Sequence, residues 1–372
     1  MKTRNLILTG TLFVLFAVGC QVDPNYDLSN LDKEVTLLKG ATFPVPSPKA
    51  LTLADIIDLE GYPYISIDNN GDYIISFALD PVQMSVEIPD DIPEGQIPTG
   101  YVPETYSFGG VPDFLSSDGQ HVEPDLSEMV LNLSIQSDIP ALFTVSSKLE
   151  TYRKGTLQRI YLVENLQVTY GLTDYRLSEH SDGTPESIQI PELGKLLSPV
   201  PDEFRISTMD VYATADQLAL LTPGSVYDLT CSTSVHAPIS FSADTRFKVQ
   251  IPLDAELKLD QIGLKKAVLH MNLENTIPLD FSIDLYALDD AGKRIENIKF
   301  SNPSSEIIPG RSTSSPLLTL TTQGDLRFSG LVLELAASSN PDLAGVHFNR
   351  SQAIRLSNLS LELPDGIQVK LD

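Results

Sequence analysis

The sequence predicts an all-β protein of two tandem antiparallel β-sandwich domains, immunoglobulin-like in type, with short connecting helices. Three observations predict this fold class. Apolar and polar residues alternate in many short runs, turn residues separate the runs, and one segment recurs at a domain-sized distance. Hydrophobic residues make up 42% of the 372 positions, which is enough to fill two cores of ordinary size.

The chain begins with a segment that has the features of a secretory signal. Lys2 and Arg4 supply a positive start, and residues 6–18 are apolar apart from one short interruption. This apolar run is shorter than the roughly 20 residues that a helix needs to cross a bilayer. A membrane-spanning anchor is therefore disfavoured, and cleavage of a signal peptide is expected.

Residues 17–20, with the sequence Ala-Val-Gly-Cys, resemble the lipobox of bacterial lipoproteins, although that family more often has Leu where this chain has Ala17. The resemblance implies a signal peptide over residues 1–19 and lipid attachment to the thiol of Cys20, which becomes the mature N-terminus. Two or more acyl chains hold a protein stably at a membrane. An ordinary secretory signal with an incidental cysteine stays open.

The segment that follows is polar and acidic, and Pro24 breaks any regular structure at its start. It predicts a lipidated tether over residues 20–40. The length that remains suits two domains. We expect a first β-sandwich domain over residues 41–205 and a second over residues 206–372.

Alternation of apolar and polar residues predicts half-buried antiparallel strands, since side chains along a strand point to opposite faces of a sheet. The clearest alternating runs are residues 82–88, 166–170, 359–363 and 367–371. Turn sequences rich in Asn, Asp and Gly separate such runs. They lie at residues 69–72, 181–183 and 289–292.

Helices are predicted only in connections. One covers residues 53–59 with Thr52 as its N-cap, and the other covers residues 215–221 with Thr214 as its N-cap. Pro223 and the glycine after it end the second helix. Both are too short to form a helical layer.

A suspected internal repeat aligns residues 131–143 with residues 269–281, an offset of about 138 residues, which is domain-sized. Leu, Ile, Pro and Phe coincide, and the apolar positions stay in register. Pro140 and Pro278 occupy equivalent places in the two segments. Because proline has no N–H to donate, each predicts a strand that bends or changes sheets there.

Residues 273–281, with the turn at residues 290–292, are similar to the Asn-Pro corner and following hairpin of the late embryogenesis abundant type 2 and water-stress (WHy) domains. These are small antiparallel β-sandwiches. Here Asn275 and Pro278 stand apart rather than adjacent. The resemblance implies the architecture and says nothing of partners.

The whole chain, lipobox included, also resembles the uncharacterised surface lipoproteins of Bacteroidota. This resemblance implies anchoring to the bacterial outer membrane through lipid on Cys20, with the domains exposed at the cell surface. Retention on the periplasmic face stays open. No activity follows from it.

The search for chemistry predicts a protein that is not an enzyme and that uses no cofactor and no metal. No local signature of a hydrolase, a nucleotide site or a zinc site occurs. Sequence-distant triads stay open. The five histidines stand far apart, and none has a neighbour at metal-ligand spacing. They are His121, His180, His236, His270 and His347.

Two acidic stretches were considered as calcium sites. The loop at residues 68–72 lacks the Glu that a calcium loop needs at its twelfth position, so a hairpin turn is preferred. Residues 89–94 are interpreted as an acidic connector. With Cys20 lipidated, Cys231 has no disulfide partner, and we expect it to be a buried structural residue rather than a nucleophile.

Net charge limits the partners. The chain has 50 acidic and 25 basic side chains, and a net charge of −25 repels phosphate backbones, so nucleic acid is not expected as a partner. The leading prediction is a non-catalytic cell-envelope lipoprotein with an adhesion, assembly or scaffolding role. Its partners are the membrane, through the lipid, and a protein or glycan ligand at the cell surface.

The alternative is a glycan-binding accessory lipoprotein of a polysaccharide-uptake system, and a secreted-type hydrolase comes third. Sugar rings stack on exposed aromatic faces, and the chain contains no Trp. Tyrosines could take that place, although core packing is expected to account for most of them. The candidates are Tyr62, Tyr64, Tyr101 and Tyr106.

Overall fold

The computed structural model describes residues 34–370 apart from 58, 60, 89, 91–94, 98, 110–121, 123, 254–262, 297, 303–306 and 327. The predicted all-β fold is confirmed, because the sheets are antiparallel apart from the short parallel pair of β13 and β14, and helices occur only in connections. None of the helices in this part of the chain has the length and apolarity needed to span a membrane. The signal segment and Cys20 lie outside the described residues.

The strands are numbered in chain order. The first thirteen are β1 (Glu34–Leu37), β2 (Ala41–Pro44), β3 (Leu51–Thr52), β4 (Ile65–Ile67), β5 (Tyr73–Ala78), β6 (Val82–Glu87), β7 (Gly95–Ile97), β8 (Glu104–Ser107), β9 (Pro124–Asp125), β10 (Val130–Ser137), β11 (Phe143–Arg153), β12 (Thr156–Val168) and β13 (Gly171–Ser178).

The remaining strands are β14 (Ser187–Gln189), β15 (Glu203–Ala213), β16 (Val226–Pro238), β17 (Ser240–Phe241), β18 (Arg246–Leu253), β19 (Gly263–Asn275), β20 (Leu279–Leu288), β21 (Lys299–Ser301), β22 (Ser312–Ser314), β23 (Leu317–Leu326), β24 (Gly330–Ser339), β25 (Ala353–Leu363) and β26 (Ile367–Lys370). Two short 3₁₀ helices cover Leu193–Leu196 and Pro341–Leu343.

Both predicted helices are present and shorter than expected. α1 (Leu53–Ile56) and α2 (Ala215–Leu218) each begin with a reciprocal capping box, in which Thr52 or Thr214 accepts from the third backbone N–H of the helix. Such a box satisfies amides that the first turn would leave unpaired. The predicted caps are therefore confirmed.

The first sandwich consists of two sheets. One has the order β14-β13-β10-β16-β5-β4, with β6 also paired to β16, and the other has the order β12-β11-β15-β7, with β8 also paired to β15. The first sheet buries alternate residues of β10, whose exposure pattern has period two. This is the packing that the alternation predicts.

The second sandwich also has two sheets. The larger has the order β1-β26-β19-β23-β21, with β25 and β22 paired to β19 and with β2 and β3 paired to β25. The smaller has the order β18-β24-β20. The buried apolar residues of both sandwiches belong to one continuous cluster.

The first sandwich is inserted into the second. β1, β2 and β3, at the start of the described chain, pair with β26 and β25 at its end, and the whole first sandwich lies between β3 and β18. A side chain at Gly366, where φ is 70°, would collide with the carbonyl of Leu37. The pairing of the chain ends therefore requires glycine at position 366.

The pairing of the first and last strands is relevant to the predicted domain boundaries. It does not show whether the two sandwiches fold separately. Residues 34–37, assigned to the tether, form β1. Residue 205, the predicted division, lies inside β15, and the pairing passes to the second sandwich between Phe241 and Arg246. The domain boundaries stay a prediction.

The suspected repeat has the same structure in both sandwiches. In each, a strand of one sheet ends at a fully buried polar residue, and the chain crosses through Ile-Pro to the opposite sheet. The backbone N–H of Ile139 donates to Ser137 Oγ at 3.1 Å, and that of Ile277 donates to Asn275 Oδ1 at 3.0 Å. The predicted change of sheet is confirmed at both corners.

The repeat extends to the outer strands. In the first sandwich, β5 pairs with the C-terminal part of β16 and β6 with its N-terminal part. In the second, β2 pairs with the C-terminal part of β25 and β3 with its N-terminal part. β10, β11, β15 and β16 therefore correspond to β19, β20, β24 and β25.

The two sandwiches meet end to end. β16 is antiparallel to β5 and β10, so β5 and β10 begin where β16 ends. In the second sandwich, β19 ends where β25 begins. These ends touch at what we call the junction, where Asp72 bridges to Asn349 and the Phe348 N–H donates to the Ile239 carbonyl at 2.7 Å.

Two other ends face away from the junction. The outer end of the first sandwich comprises residues 138–142, 169–172 and 214–226, which follow β10, precede β13 and precede β16. The N-terminal end of the second sandwich is the end at which β19 begins. There β26 pairs with the first residues of β19, and β1 pairs with β26. The junction separates these two ends.

We expect Asn275→Ala to lower the free energy of unfolding by about 2–4 kcal/mol. The buried Asn275 amide donates to the carbonyls of Leu279 at 2.8 Å and Pro309 at 3.1 Å, and its oxygen caps Ile277. All three groups lose their partner together. Denaturant titration of the full chain in detergent measures the change.

The matched control is Asn272→Ala in the same strand. Asn272 is half-buried and accepts only from Ser315 Oγ, at 2.9 Å. We expect a loss below about 0.5 kcal/mol there, as for surface positions. Equal losses for the two variants would show that the buried corner contributes nothing special.

Candidate functional site

The main candidate site is a cavity of about 590 Å³ at the junction, a size typical of small-molecule pockets. Asp72 enters it from the turn before β5 of the first sandwich. The rest of the lining comes from the second sandwich, from the end of β19, the start of β22 and the loop before β25. Both halves of the molecule are needed to form it.

His347 spans the junction at one wall of this cavity. Its Nδ1 lies 3.5 Å from Asp72 Oδ2 and its Nε2 lies 3.1 Å from Glu128 Oε2. Both carboxylates belong to the first sandwich, whereas His347 precedes β25 of the second. An imidazole placed between two carboxylates from another body holds the two bodies in register.

Asn349 fixes the same contact. Its amide donates to Asp72 Oδ1 at 2.8 Å and to the carbonyl of Asn70 at 3.0 Å, and its oxygen accepts from Ser351. The turn that presents Asp72 is itself held by Asp68, whose carboxylate accepts from the backbone of Asn70 and Asp72. The wall is therefore built before any ligand arrives.

Gln352 lies at the buried edge of the cavity. The residue is 7% exposed, and its side-chain Nε2 donates to the carbonyl of His347 at 2.8 Å. Its Oε1 is buried and accepts no hydrogen bond from the described residues. An unsatisfied buried acceptor costs about 1–3 kcal/mol, and because this oxygen is closed off from solvent, it offers no contact to a ligand in the cavity.

A second concavity, of about 460 Å³, lies on the outward face of β11, β12 and β15. Thr144 and Ser146 form its floor, and Tyr212 and Leu162 stand at its sides. A bulge in β12 places Asn165 at a left-handed φ of 63° beside it. We call this concavity the sheet groove.

The outer end exposes several large apolar side chains, which a surface in water normally covers. Tyr170 and Leu172 are 69% and 62% exposed. They flank Gly171, which pairs with Ser137 at the end of β10. The exposed apolar residues of this end are Leu142, Tyr170, Leu172, Leu220 and Val226.

The outer end is the counterpart of the second sandwich's side of the junction. Under the correspondence of the repeats, its three loops match residues 276–280, 311–314 and 340–352. Those segments contact the first sandwich or line the junction cavity. One copy of this end is therefore covered by a β-sandwich, whereas among the described residues the other copy is met only by the connector at Ile88 and Asp90, which contact its loop at Gly224 and Ser225.

The structure places the predicted residues as follows. Asp68 lies in the hairpin turn between β4 and β5, as expected, and hydrogen bonds from the Asp72 and Asn70 backbone hold its pKa below the usual value. His180 and His236 are exposed, and His270 pairs with Glu362 of β25 at 2.8 Å. His121 and most of the acidic connector at residues 89–94 lie outside the described residues.

Cys231 is buried in β16, as the sequence predicts. It lies opposite Ile135 of β10, among apolar neighbours. Burial raises the pKa of its thiol to about 12, which keeps it protonated and unreactive at neutral pH. The predicted burial of Cys231 is therefore confirmed.

Of the tyrosines named as stacking candidates, Tyr64 belongs to the core, and the other three are half-buried and pack against it, namely Tyr62, Tyr101 and Tyr106. Tyr64 is buried, and Tyr106 stacks on Phe77 with ring centroids 4.4 Å apart. The Tyr101 hydroxyl donates to the carbonyl of Ile206 at 2.8 Å. The exposed tyrosines are instead Tyr170 and Tyr212, of which the second lines the sheet groove.

Sequence reasoning did not find the junction cavity. His347 and Asn349 stand close together in the chain, but Asp72 lies far before them, and no local pattern joins these parts. The one usable signal was the polar run His-Phe-Asn-Arg-Ser-Gln at residues 347–352, which interrupts the apolar alternation before β25. This run can be interpreted as part of a site only when the first sandwich is known to be inserted into the second.

Comparison with known proteins gives a likeness in fold. A protein of Parabacteroides distasonis ATCC 8503, described as a "putative secreted protein", has a solved structure that matches 87% of this chain and 99% of its own, with 14% identity and a TM-score of 0.57. No family model and no curated protein matches the chain. At this identity the likeness shows the fold alone.

Two further solved structures match much more loosely. They are an infectious bursal disease virus Gx strain structure, at 10% identity over 84% of this chain and 73% of that one with a TM-score of 0.22, and the PBSX exported protein XepA, at 9% identity over 80% and 93% with a TM-score of 0.17. Neither supports an argument.

Proposed function

We propose that this chain is a non-catalytic lipoprotein of the bacterial outer membrane that serves in assembly or scaffolding, with its outer end docking a further β-sandwich. The observation that carries the proposal is the outer end, which no further sandwich covers among the described residues. Its counterpart in the second sandwich is covered by a β-sandwich, and its own surface is apolar. Adhesion to a protein at the cell surface uses the same end.

The position of the N-terminus supports display away from a membrane. β1 lies at the N-terminal end of the second sandwich, and the junction lies between that end and the outer end. A lipid on Cys20 would thus hold the second sandwich nearest the membrane and present the outer end farthest from it. The excess of acidic side chains suits an exposed surface.

A photo-crosslinking amino acid at Leu172 tests the outer end. In intact cells we expect it to form an adduct with a protein whose contacting part is a β-sandwich, a second copy of this chain included, because apolar end surfaces pack on one another. The control position is Leu317, which is exposed on the second sandwich. Adducts at neither position, or equally at both, would contradict the proposal.

Cys20→Ser tests the anchor. We expect the variant to lose labelling by a fatty-acid analogue and to leave the detergent phase, since lipid chains hold the protein at the membrane. Folding should be unchanged because residue 20 precedes the first described strand.

Cys231→Ser is the control and should keep its label. Equal labelling and partitioning of wild type and Cys20→Ser would refute lipidation at this site. Protease treatment of intact cells reports the membrane face, because loss of the intact chain places it outside and survival places it in the periplasm.

Glycan binding is the second candidate function, and the sheet groove is the observation that favours it. Tyr212, 36% exposed, offers an aromatic face beside the hydroxyls of Thr144 and Thr208 and the carboxylates of Glu164 and Asp210. Aromatic stacking with nearby polar groups is how proteins hold sugar rings.

If this candidate is right, the full chain in detergent binds selectively on a glycan array. Tyr212→Ala should abolish that binding, because it removes the stacking face of the groove. Tyr170→Ala, at the outer end, should leave it intact. Binding that survives Tyr212→Ala excludes the groove as the glycan site.

A further inference from the structure

The junction cavity has the construction of a preformed binding site. Its walls are fixed by their own hydrogen bonds, since Asn349 and His347 hold Asp72, and Asn275 is saturated by backbone partners. Such a cavity keeps its shape without a ligand. Preorganisation lowers the entropic cost of binding.

The chemistry of the lining selects the class of ligand. Val346 is the one apolar residue of the described lining, so an apolar ligand would find little surface to cover. The polar groups include both acceptors, such as the carboxylates of Asp72 and Glu274, and donors, such as the guanidinium of Arg311 and the hydroxyl of Thr313. A hydroxyl group both donates and accepts, so a polyol can satisfy such a wall.

Charge narrows the class further. The cavity holds the carboxylates of Asp72 and Glu274, with that of Glu128 close by, in a chain of net charge −25, so an anion is repelled. A compact cation would instead meet the guanidinium of Arg311. An uncharged ligand avoids both penalties.

We infer that the junction cavity binds a small, uncharged, hydroxyl-rich molecule of the size of a mono- or disaccharide. Its hydroxyls donate to the carboxylate of Glu274 and accept from the guanidinium of Arg311. The ligand contacts both sandwiches, because Asp72 belongs to the first and Arg311 to the second. This site needs neither the lipid anchor nor the outer end.

Thermal unfolding of the full chain in detergent tests the inference. The probes are glucose, galactose, mannose, maltose and cellobiose at millimolar concentration, with glucuronate and glucosamine as charged analogues of matched size. We expect at least one neutral probe to raise the unfolding temperature, since ligands that bind only the folded state stabilise it. The charged analogues should give smaller shifts.

Variants locate the site. Arg311→Ala and Glu274→Ala should each weaken binding of the effective probe at least tenfold by calorimetry. Arg246→Ala, at an exposed arginine on β18 outside the cavity, should leave binding unchanged. Arg311 and Glu274 are both exposed, so we expect neither variant to disrupt the fold.

Other outcomes overturn the inference. No shift with any neutral probe, a larger shift with a charged analogue, or full binding by Arg311→Ala would each do so. Binding that is lost in Tyr212→Ala and kept in Arg311→Ala would assign the sugar to the sheet groove instead. The lipid anchor and the outer end are tested by labelling and crosslinking in cells. A failure of the sugar-binding inference can therefore be distinguished from a failure of the proposed function.

Discussion

Pairing between the two ends of the chain is the interaction on which the architecture depends. β2 and β3 exchange backbone hydrogen bonds with β25, and β1 does so with β26, which closes the second sandwich around a long excursion of the chain. The first sandwich must therefore leave and return at one place. That place is the junction, where two chain crossings and the contacts of His347 and Asn349 hold the two bodies together.

Local patterns predicted the strands and corners because each depends on neighbours in the chain. Alternation at residues 82–88 and 359–363 became β6 and the last part of β25, and Pro140 and Pro278 marked the crossings between sheets. The pairing of residues 34–52 was missed. These strands are two to four residues long, which is too short to show a period, and their partners lie near the other end of the chain.

The candidate sites could not be predicted from the sequence for the same reason. Asp72 was interpreted correctly as part of a turn, but its role at the junction depends on a loop that is distant in sequence. The tyrosines that cluster in the sequence are buried or half-buried against the core. Tyr212 looks in the sequence like an ordinary strand residue, and only the bulge beside Asn165 shows that it borders a concavity.

The insertion has a consequence for the order in which the protein folds as its chain is synthesised. The chain emerges from its N-terminus, so β1, β2 and β3 are available long before β25 and β26, while the inserted first sandwich holds all of its own partner strands. Contacts between such distant segments form slowly because the loop between them must close first. The second sandwich is thus completed last, and until then the earliest strands present unpaired edges that chaperones and proteases can engage.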